Sequence, residues 1–282
     1  NARRAHSPLV NIIGDHATWH HKYDAPLTSD VPAHARIHSH WLKVTESAED
    51  LALAGAVNRA DDLFLHVGFT ALGALSPSGQ SRPFHAEADG LVPAEGAGFV
   101  ALKRLADARR DGDRIHGIIR GIGLSNDGRG RGFLAPSDSG QQRALTQAYQ
   151  GAGLGPESVS LLECHATGTT LGDATELQST GALFADCSEV PIGSLKSNMG
   201  HLITAAGVAG LIKVLEALRH QQRPPTLHAD THNPALANSP FRVLDTLEPW
   251  TCDGVRMAGV SAFGFGGTVS APAPSCPTPW RG

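Results

Sequence analysis

Regular spacing of apolar positions begins near residue 50, and from there short strand-like and helix-like periods alternate along the chain. Asp50–Ala56 reads as a buried strand, and Asp61 or Asp62 can cap a helix carrying Leu63, Phe64, Val67 and Leu72. Ser76–Gly79 turns the chain. Gly98–Leu102 and Ile115–Leu124 are strand candidates, separated by the charged run Lys103–Asp113. The spacing of Leu145, Ala148, Tyr149 and Ala152 predicts a helix over Ser139–Ala152, stopped by Gly153, Gly155 and Pro156. Val159–Glu163 then reads as a strand, Asp173–Phe184 as a helix, Val190–Ser194 as a strand, Ala205–His220 as a helix and Val255–Ser261 as a strand. The D-x-x-E form of Asp173 and Glu176 predicts a capping box at the start of its helix. Strands alternating with helices predict an α/β fold with a mostly parallel sheet covered on both faces.

The first 48 residues break this pattern. They show no amphipathic period, yet hold seven of the 15 histidines (His6, His16, His20, His21, His34, His38 and His40) together with Trp19 and Trp41. A boundary therefore falls near residue 48. His16 and His20 are four apart and His34, His38 and His40 follow, so a metal-binding module is one reading. Pro26 and Pro32 intervene and no acidic or cysteine set completes a tetrahedral pattern, which leaves the expected metal ligands at none.

Composition narrows the partners. Lys and Arg number 23 against 27 Asp and Glu, so no basic field exists to hold a phosphate backbone and nucleic acid is excluded as an expected partner. The longest uncharged apolar stretch, Ile203–Ile212, contains glycines and stops at Lys213, short of the ~18 residues of a membrane span. Leu9–Ile13, broken by Asn11, is too short for a signal-peptide core. Cys164, Cys187, Cys252 and Cys276 lack CxxC spacing, which favours reduced thiols and a cytoplasmic setting. Abundant glycine and scarce aromatics (5%) fit tight backbone approaches in an enzyme-like chain.

Two loops after predicted strands present a histidine among small residues: Glu163-Cys164-His165-Ala166-Thr167-Gly168-Thr169 and Lys196-Ser197-Asn198-Met199-Gly200-His201. Sites in parallel α/β sheets form beyond the carboxyl ends of strands, so both histidines are expected to converge at one end of the sheet. Gly121-x-Gly123 and Gly128–Gly132 complete neither a G-x-G-x-x-G nor a P-loop pattern and read as turns.

These loops, with Arg82-Pro83-Phe84, Asp89-Gly90, Glu95-Gly96-Ala97-Gly98, Gly172-Asp173, Glu176 and Phe263-Gly264-Phe265-Gly266-Gly267-Thr268, resemble the β-ketoacyl synthases over about residues 49 to 268, most closely the ketosynthase domains of polyketide synthases. The resemblance implies a thiolase-like layered α/β/α fold of two similar halves and a decarboxylative Claisen condensation between an acyl and a malonyl thioester. It implies no cofactor beyond substrates carried on phosphopantetheine, with acyl carrier protein as partner. By the match, His165 and His201 aim N–H donors at the malonyl thioester oxygen. Lys196 sits in a charge network with Asp173 and Glu176, Thr167 and Thr169 contact the phosphopantetheine arm, and Phe265 with Gly266 forms the gate and oxyanion position.

The chain departs from that pattern at both ends. The family's nucleophile lies in an upstream Ala-Cys-Ser-Ser elbow, whereas residues 1 to 163 contain no cysteine. Cys164 is expected to face away from His165, Cys187 to be raised by acidic neighbours, and no nucleophile is assigned. The first half is thus incomplete, which is expected to compromise the family's homodimer. Beyond Thr268, prolines at 272, 274, 277 and 279 predict an empty sheet position. The expected organisation is residues 1–48 as an unrelated segment, 49–112 as a remnant of the first half, 113–268 as the second half and 269–282 as a Pro-rich tail. Residues 8–44, through Gly14-Asp15-His16-Ala17-Thr18 and Tyr23–Asp30, resemble acetolactate-synthase-like thiamine diphosphate enzymes, but no Gly-Asp-Gly…Asn cofactor motif follows. A junction of two coding segments is the reading this predicts. The expected function is a ketosynthase-type acyltransferase, inactive or limited to decarboxylation in this chain; a non-catalytic acyl-carrier-binding protein is the alternative.

Overall fold

The computed structural model describes residues 51–60, 63–127, 136–252, 254–264 and 267–272. The first 48 residues, the Asp61 and Asp62 caps, Gly128–Gly132, Cys276 and the prolines at 274, 277 and 279 lie outside these. The chain divides into two compact units, residues 1–53 with 101–111 and residues 54–100 with 112–282. Among the described residues of the first, the helix Leu105–Arg110 is held by ion pairs of Arg104 and Arg110 with Asp107. The second unit holds the site.

Strands and helices follow the predicted alternation. In chain order, β1 is Ala52–Asn58, α1 Leu63–Ala71, β2 Gly96–Leu102, α2 the helix Leu105–Arg110, β3 Gly123–Asn126, α3 Asp138–Ala152, β4 Leu162–Glu163, α4 Thr170–Leu183 and β5 Val190–Gly193. There follow α5 Lys196–Met199, α6 Ala206–His220, β6 Gln222–Arg223, β7 Phe241–Val243, β8 Glu248–Pro249, β9 Gly259–Gly264 and β10 Gly267–Pro272. A six-stranded sheet runs in the order β3-β10-β9-β4-β5-β7. Its β9, β4, β5 and β7 are parallel, and β10 is antiparallel to both neighbours.

Alternation along β4 sorts the core. Leu162 faces the cluster of Leu145, Tyr149, Leu177, Phe184 and Phe241 supplied by α3, α4 and neighbouring strands, while Leu161 faces Val214 and Leu218 of α6 with Trp250. The sheet is therefore covered by helices on both faces, as an inner parallel sheet requires. Ser137 caps α3 by accepting from Gly140 N, and Gly153 ends it in the left-handed region at φ 63°. No helix among the described residues is long and apolar enough to cross a membrane.

Three expectations change. Ile115–Leu124 is not one strand: only Gly123–Asn126 pairs. Gly121 and Gly123 are not turns but points where the backbone runs beneath α3, with the carbonyls of Ala148 and Ala144 in the space a Cβ would need. The sheet position beyond Thr268 is filled, because β10 pairs with β9 from Gly267 to Pro272. Pro272 is tolerated since it is the last residue of the strand.

Candidate functional site

Glu163 ends β4, and the chain leaves the sheet through Cys164 and His165. Two carboxylates on one face of α4 hold this loop. Glu176 accepts His165 N at 2.8 Å and Ala166 N at 2.7 Å. Asp173 accepts Thr167 N at 3.0 Å and Gly168 N at 3.3 Å through one oxygen, and Phe84 N at 2.9 Å through the other. This corrects the capping-box expectation. The helix starts earlier, with Thr169 at its N-cap, so Asp173 and Glu176 serve the amides of a neighbouring loop instead of the helix's own first turn. Burial pushes their carboxyls up, Asp173 to about 6 and Glu176 to about 7, against the pull of the amide hydrogen bonds.

The second loop leaves β5 and turns through α5. The Ser194 hydroxyl donates to Ala166 O at 2.9 Å, tying one loop to the other. Ser197 donates to Ser194 O at 2.9 Å and accepts Leu227 N at 2.9 Å. Gly200 then adopts φ 79° with Val92 O so close that a Cβ would stand 2.7 Å from it. His201 N donates to Val92 O at 2.7 Å, and Ala94 N donates to His201 O at 2.9 Å.

The segment 82–94 braces both loops, which accounts for the motif positions there. Gly90 N donates to Gly168 O at 2.9 Å, and Thr170 Oγ1 donates to Ala88 O at 2.8 Å. Asp89 holds its own segment by accepting Ser76 Oγ at 2.7 Å and Ser78 N at 3.3 Å, and it pairs with Arg82 at 3.1 Å. Burial raises the Asp89 carboxyl, but those hydrogen bonds and the Arg82 charge outweigh it and hold the group below its ordinary value.

The rings of His165 and His201 stand with centroids 5.3 Å apart at 81°. Both sequence-expected histidines are thus brought together. His201 Nδ1 accepts Ile203 N at 2.9 Å, and His165 Nδ1 accepts Phe263 N at 3.3 Å. With Nδ1 accepting in each ring, a neutral imidazole carries its hydrogen on Nε2. Burial first and the nearby Lys196 charge second press both rings below the ordinary histidine value, His201 to about 3. At neutral pH the rings are uncharged, weak as bases and able to donate, an arrangement fitted to an oxyanion that develops between them.

Lys196 is 6% exposed. Among the described residues its ammonium makes no ion pair within hydrogen-bonding reach, and the charges of Asp173 and Glu176 act on it from farther away. Those carboxylates already accept five backbone amides. Burial lowers the Lys196 ammonium, and the largest opposing attraction comes from Glu163, with Glu176 and Asp173 after it. Glu163 and its partner Lys213 are not singled out by the sequence as site residues. The available signal is a charge at the last position of a buried strand and another interrupting an apolar helix.

Thr167 and Thr169 place their hydroxyls 3.0 Å from each other. Phe265 and Gly266 lie outside the described residues; nearby, the Phe263 ring stands 5.2 Å from that of His165. Cys164 faces the core cluster under α3 and α4, on the opposite side of the strand from Glu163 and His165, and burial followed by the Glu176 and Glu163 charges pushes its thiol up. The Cys187 thiol is raised by burial, then by Glu157 and Asp186, and Cys252 is exposed. None of these three opens a helix.

Comparison with known proteins matches two family models: "Beta-ketoacyl synthase, N-terminal domain" over residues 28–108 and "Beta-ketoacyl synthase, C-terminal domain" over residues 116–230. Among curated relatives, one subunit of the phenolphthiocerol/phthiocerol polyketide synthase of Mycobacterium tuberculosis is 46% identical over 225 residues, 77% of this chain and 12% of that protein. Another subunit of the same synthase is 43% identical over 242 residues, 82% of this chain and 16% of that protein. Among solved structures, the ketosynthase from module 6 of the Bacillus subtilis bacillaene synthase superimposes with a TM-score of 0.79 at 39% identity, covering 81% of this chain and 43% of that one. The oxazolomycin ketosynthase domain of Streptomyces albus gives 0.79 at 37%, covering 83% and 43%. The chain therefore spans less than half of these solved ketosynthases and under a fifth of these synthase subunits. The acetolactate-synthase-like likeness of residues 8–44 finds no support, and the N-terminal-domain match begins inside that stretch, at residue 28.

Proposed function

Because the chain belongs to the β-ketoacyl synthase family and shares its thiolase-like α/β fold, we propose that its imidazole pair acts on a malonyl thioester delivered by acyl carrier protein. The observation that carries this reading is the pair of neutral rings 5.3 Å apart, each with Nδ1 occupied by a backbone amide and Nε2–H left to donate.

In this reading the bond between the malonyl carboxylate and C2 breaks, carbon dioxide leaves, and the electron pair passes into the enolate with charge on the thioester oxygen. His165 and His201 donate to that oxygen. Donors held in place before the charge appears lower the barrier without reorganising, an effect worth on the order of 3 kcal/mol per donor in comparable sites. Asp173 and Glu176 orient the His165 loop through backbone amides, Lys196 supplies positive potential, and Thr167 with Thr169 contacts the phosphopantetheine arm. In a complete condensation the enolate carbon attacks an acyl thioester on a cysteine and the thiolate departs. Cys164, Cys187 and Cys252 are poorly suited to carry that acyl group, so the described residues support decarboxylation alone, with water protonating the enolate to acetyl thioester.

The test is carbon dioxide release from malonyl-acyl carrier protein by the purified chain. Release above the uncatalysed rate that falls about a hundredfold or more in His201→Ala is expected. Release equal to background in the parent chain, or unchanged in His201→Ala, overturns the reading.

A further inference from the structure

Behind the two histidine loops lies a second charge arrangement. Glu163 is 3% exposed, its Oε2 takes Lys213 Nζ at 2.6 Å, and its Oε1 accepts Leu195 N at 2.7 Å. Lys213 stands in the middle of α6 with its side chain 9% exposed. Gly210, one turn earlier on the same face, makes the approach feasible, since a Cβ there would stand only 3.2 Å from Glu163 Cγ. Leu195 is the N-cap residue of α5, immediately before Lys196. One carboxylate thus joins the end of β4, two residues before His165, to the start of the turn that delivers Lys196 and His201, and also to the helix that follows His201.

We propose that Lys213, acting through Glu163, is a positioning residue that sets the register of the Lys196–His201 turn against the His165 loop. The ion pair fixes the Glu163 side chain, and the fixed carboxylate fixes the Leu195 amide. Removing the ammonium leaves a buried carboxylate without its counter-charge, a strongly unfavourable state that moving the carboxylate relieves. That movement carries Leu195 with it. Removing both charges by Glu163→Gln with Lys213→Met keeps an amide oxygen for Leu195 N and abolishes the imbalance, so the double variant is expected to disturb the loop less than Lys213→Met alone. The proposal rests on the reading of the imidazole pair given above, and it is tested by two independent measurements.

The first is carbon dioxide release from malonyl-acyl carrier protein. Lys213→Met is expected to lower kcat roughly ten- to a hundredfold with KM little changed, as for misplacement of a reacting group. Lys213→Arg and the double variant are expected to recover most of it. The second is the set of imidazole nitrogen NMR signals of His165 and His201, which report ring environment whether or not turnover occurs. Lys213→Met is expected to shift or broaden the His201 signals, and the double variant to bring them back. Ring signals in Lys213→Met that coincide with the parent's, with only the melting temperature reduced, overturn the proposal; so does a Lys213→Arg chain as impaired as Lys213→Met. A parent chain that releases no carbon dioxide defeats the functional reading, while the ring signals still decide this one.

Discussion

At the residue scale, the site depends on groups whose charge is set by burial. Glu176 is raised to about 7 in the folded chain against an ordinary 4.5. The folded state therefore holds this proton more tightly than the unfolded chain does. The resulting stability is fully present below about 4.5 and is lost as pH rises through about 7. Glu176→Gln cannot titrate, so the difference in unfolding free energy between variant and parent should move in the variant's favour by about 1 kcal/mol or more from pH 5 to pH 8. Urea unfolding at the two pH values checks this; a difference that stays constant would mean that Glu176 remains ionised throughout. His165 and His201 stand out in the sequence because each sits in a long motif after a strand. Glu163 and Lys213 do not, because nothing in linear spacing shows that residues fifty positions apart meet across a sheet and a helix.

At the element scale, close approach between strand and helix explains both what was legible and what was not. The helix periods at Asp138–Ala152 and Ala206–His220 are readable from spacing and stop signals, since amphipathic repeats and a left-handed Gly153 are local properties. The strand before α3 is shorter than its apolar run predicts, since pairing starts only at Gly123 opposite Ser270 of β10, and Gly121 and Gly123 lie where the backbone meets Ala148 and Ala144, residues of a later element. This gives a paired expectation within one neighbourhood. Gly123→Ala should destabilise by about 1–3 kcal/mol, since its Cβ strikes the Ala144 carbonyl of α3. Gly151→Ala, inside α3 with nothing within 4 Å of its Cβ, should stabilise by up to about 1 kcal/mol. Thermal unfolding of both variants separates the two effects, and equal shifts would contradict the packing described for α3.

At the scale of the whole molecule, the segment expected to leave a gap in the sheet occupies an interior place in it. β10 pairs with β9 along Gly267–Pro272 and with β3 along Gly267–Ser270. A chain ending at Gly266 should therefore leave β3 without a sheet partner and expose the amides of β9, with loss of the cooperative urea transition expected of the full chain; an unchanged transition would show that β10 is dispensable. The order of strands is beyond reach of the sequence, since prolines near a strand's end say only where a ladder stops and not which neighbours it has. Finally, the donors that orient both rings at Nδ1, and the five that satisfy Asp173 and Glu176, are all peptide amides. Side-chain exchange at Ile203, Phe263, Ala166 or Phe84 leaves those donors in place, so the tautomers that matter are insulated from most mutational drift and exposed chiefly to proline, the one residue that deletes an N–H outright.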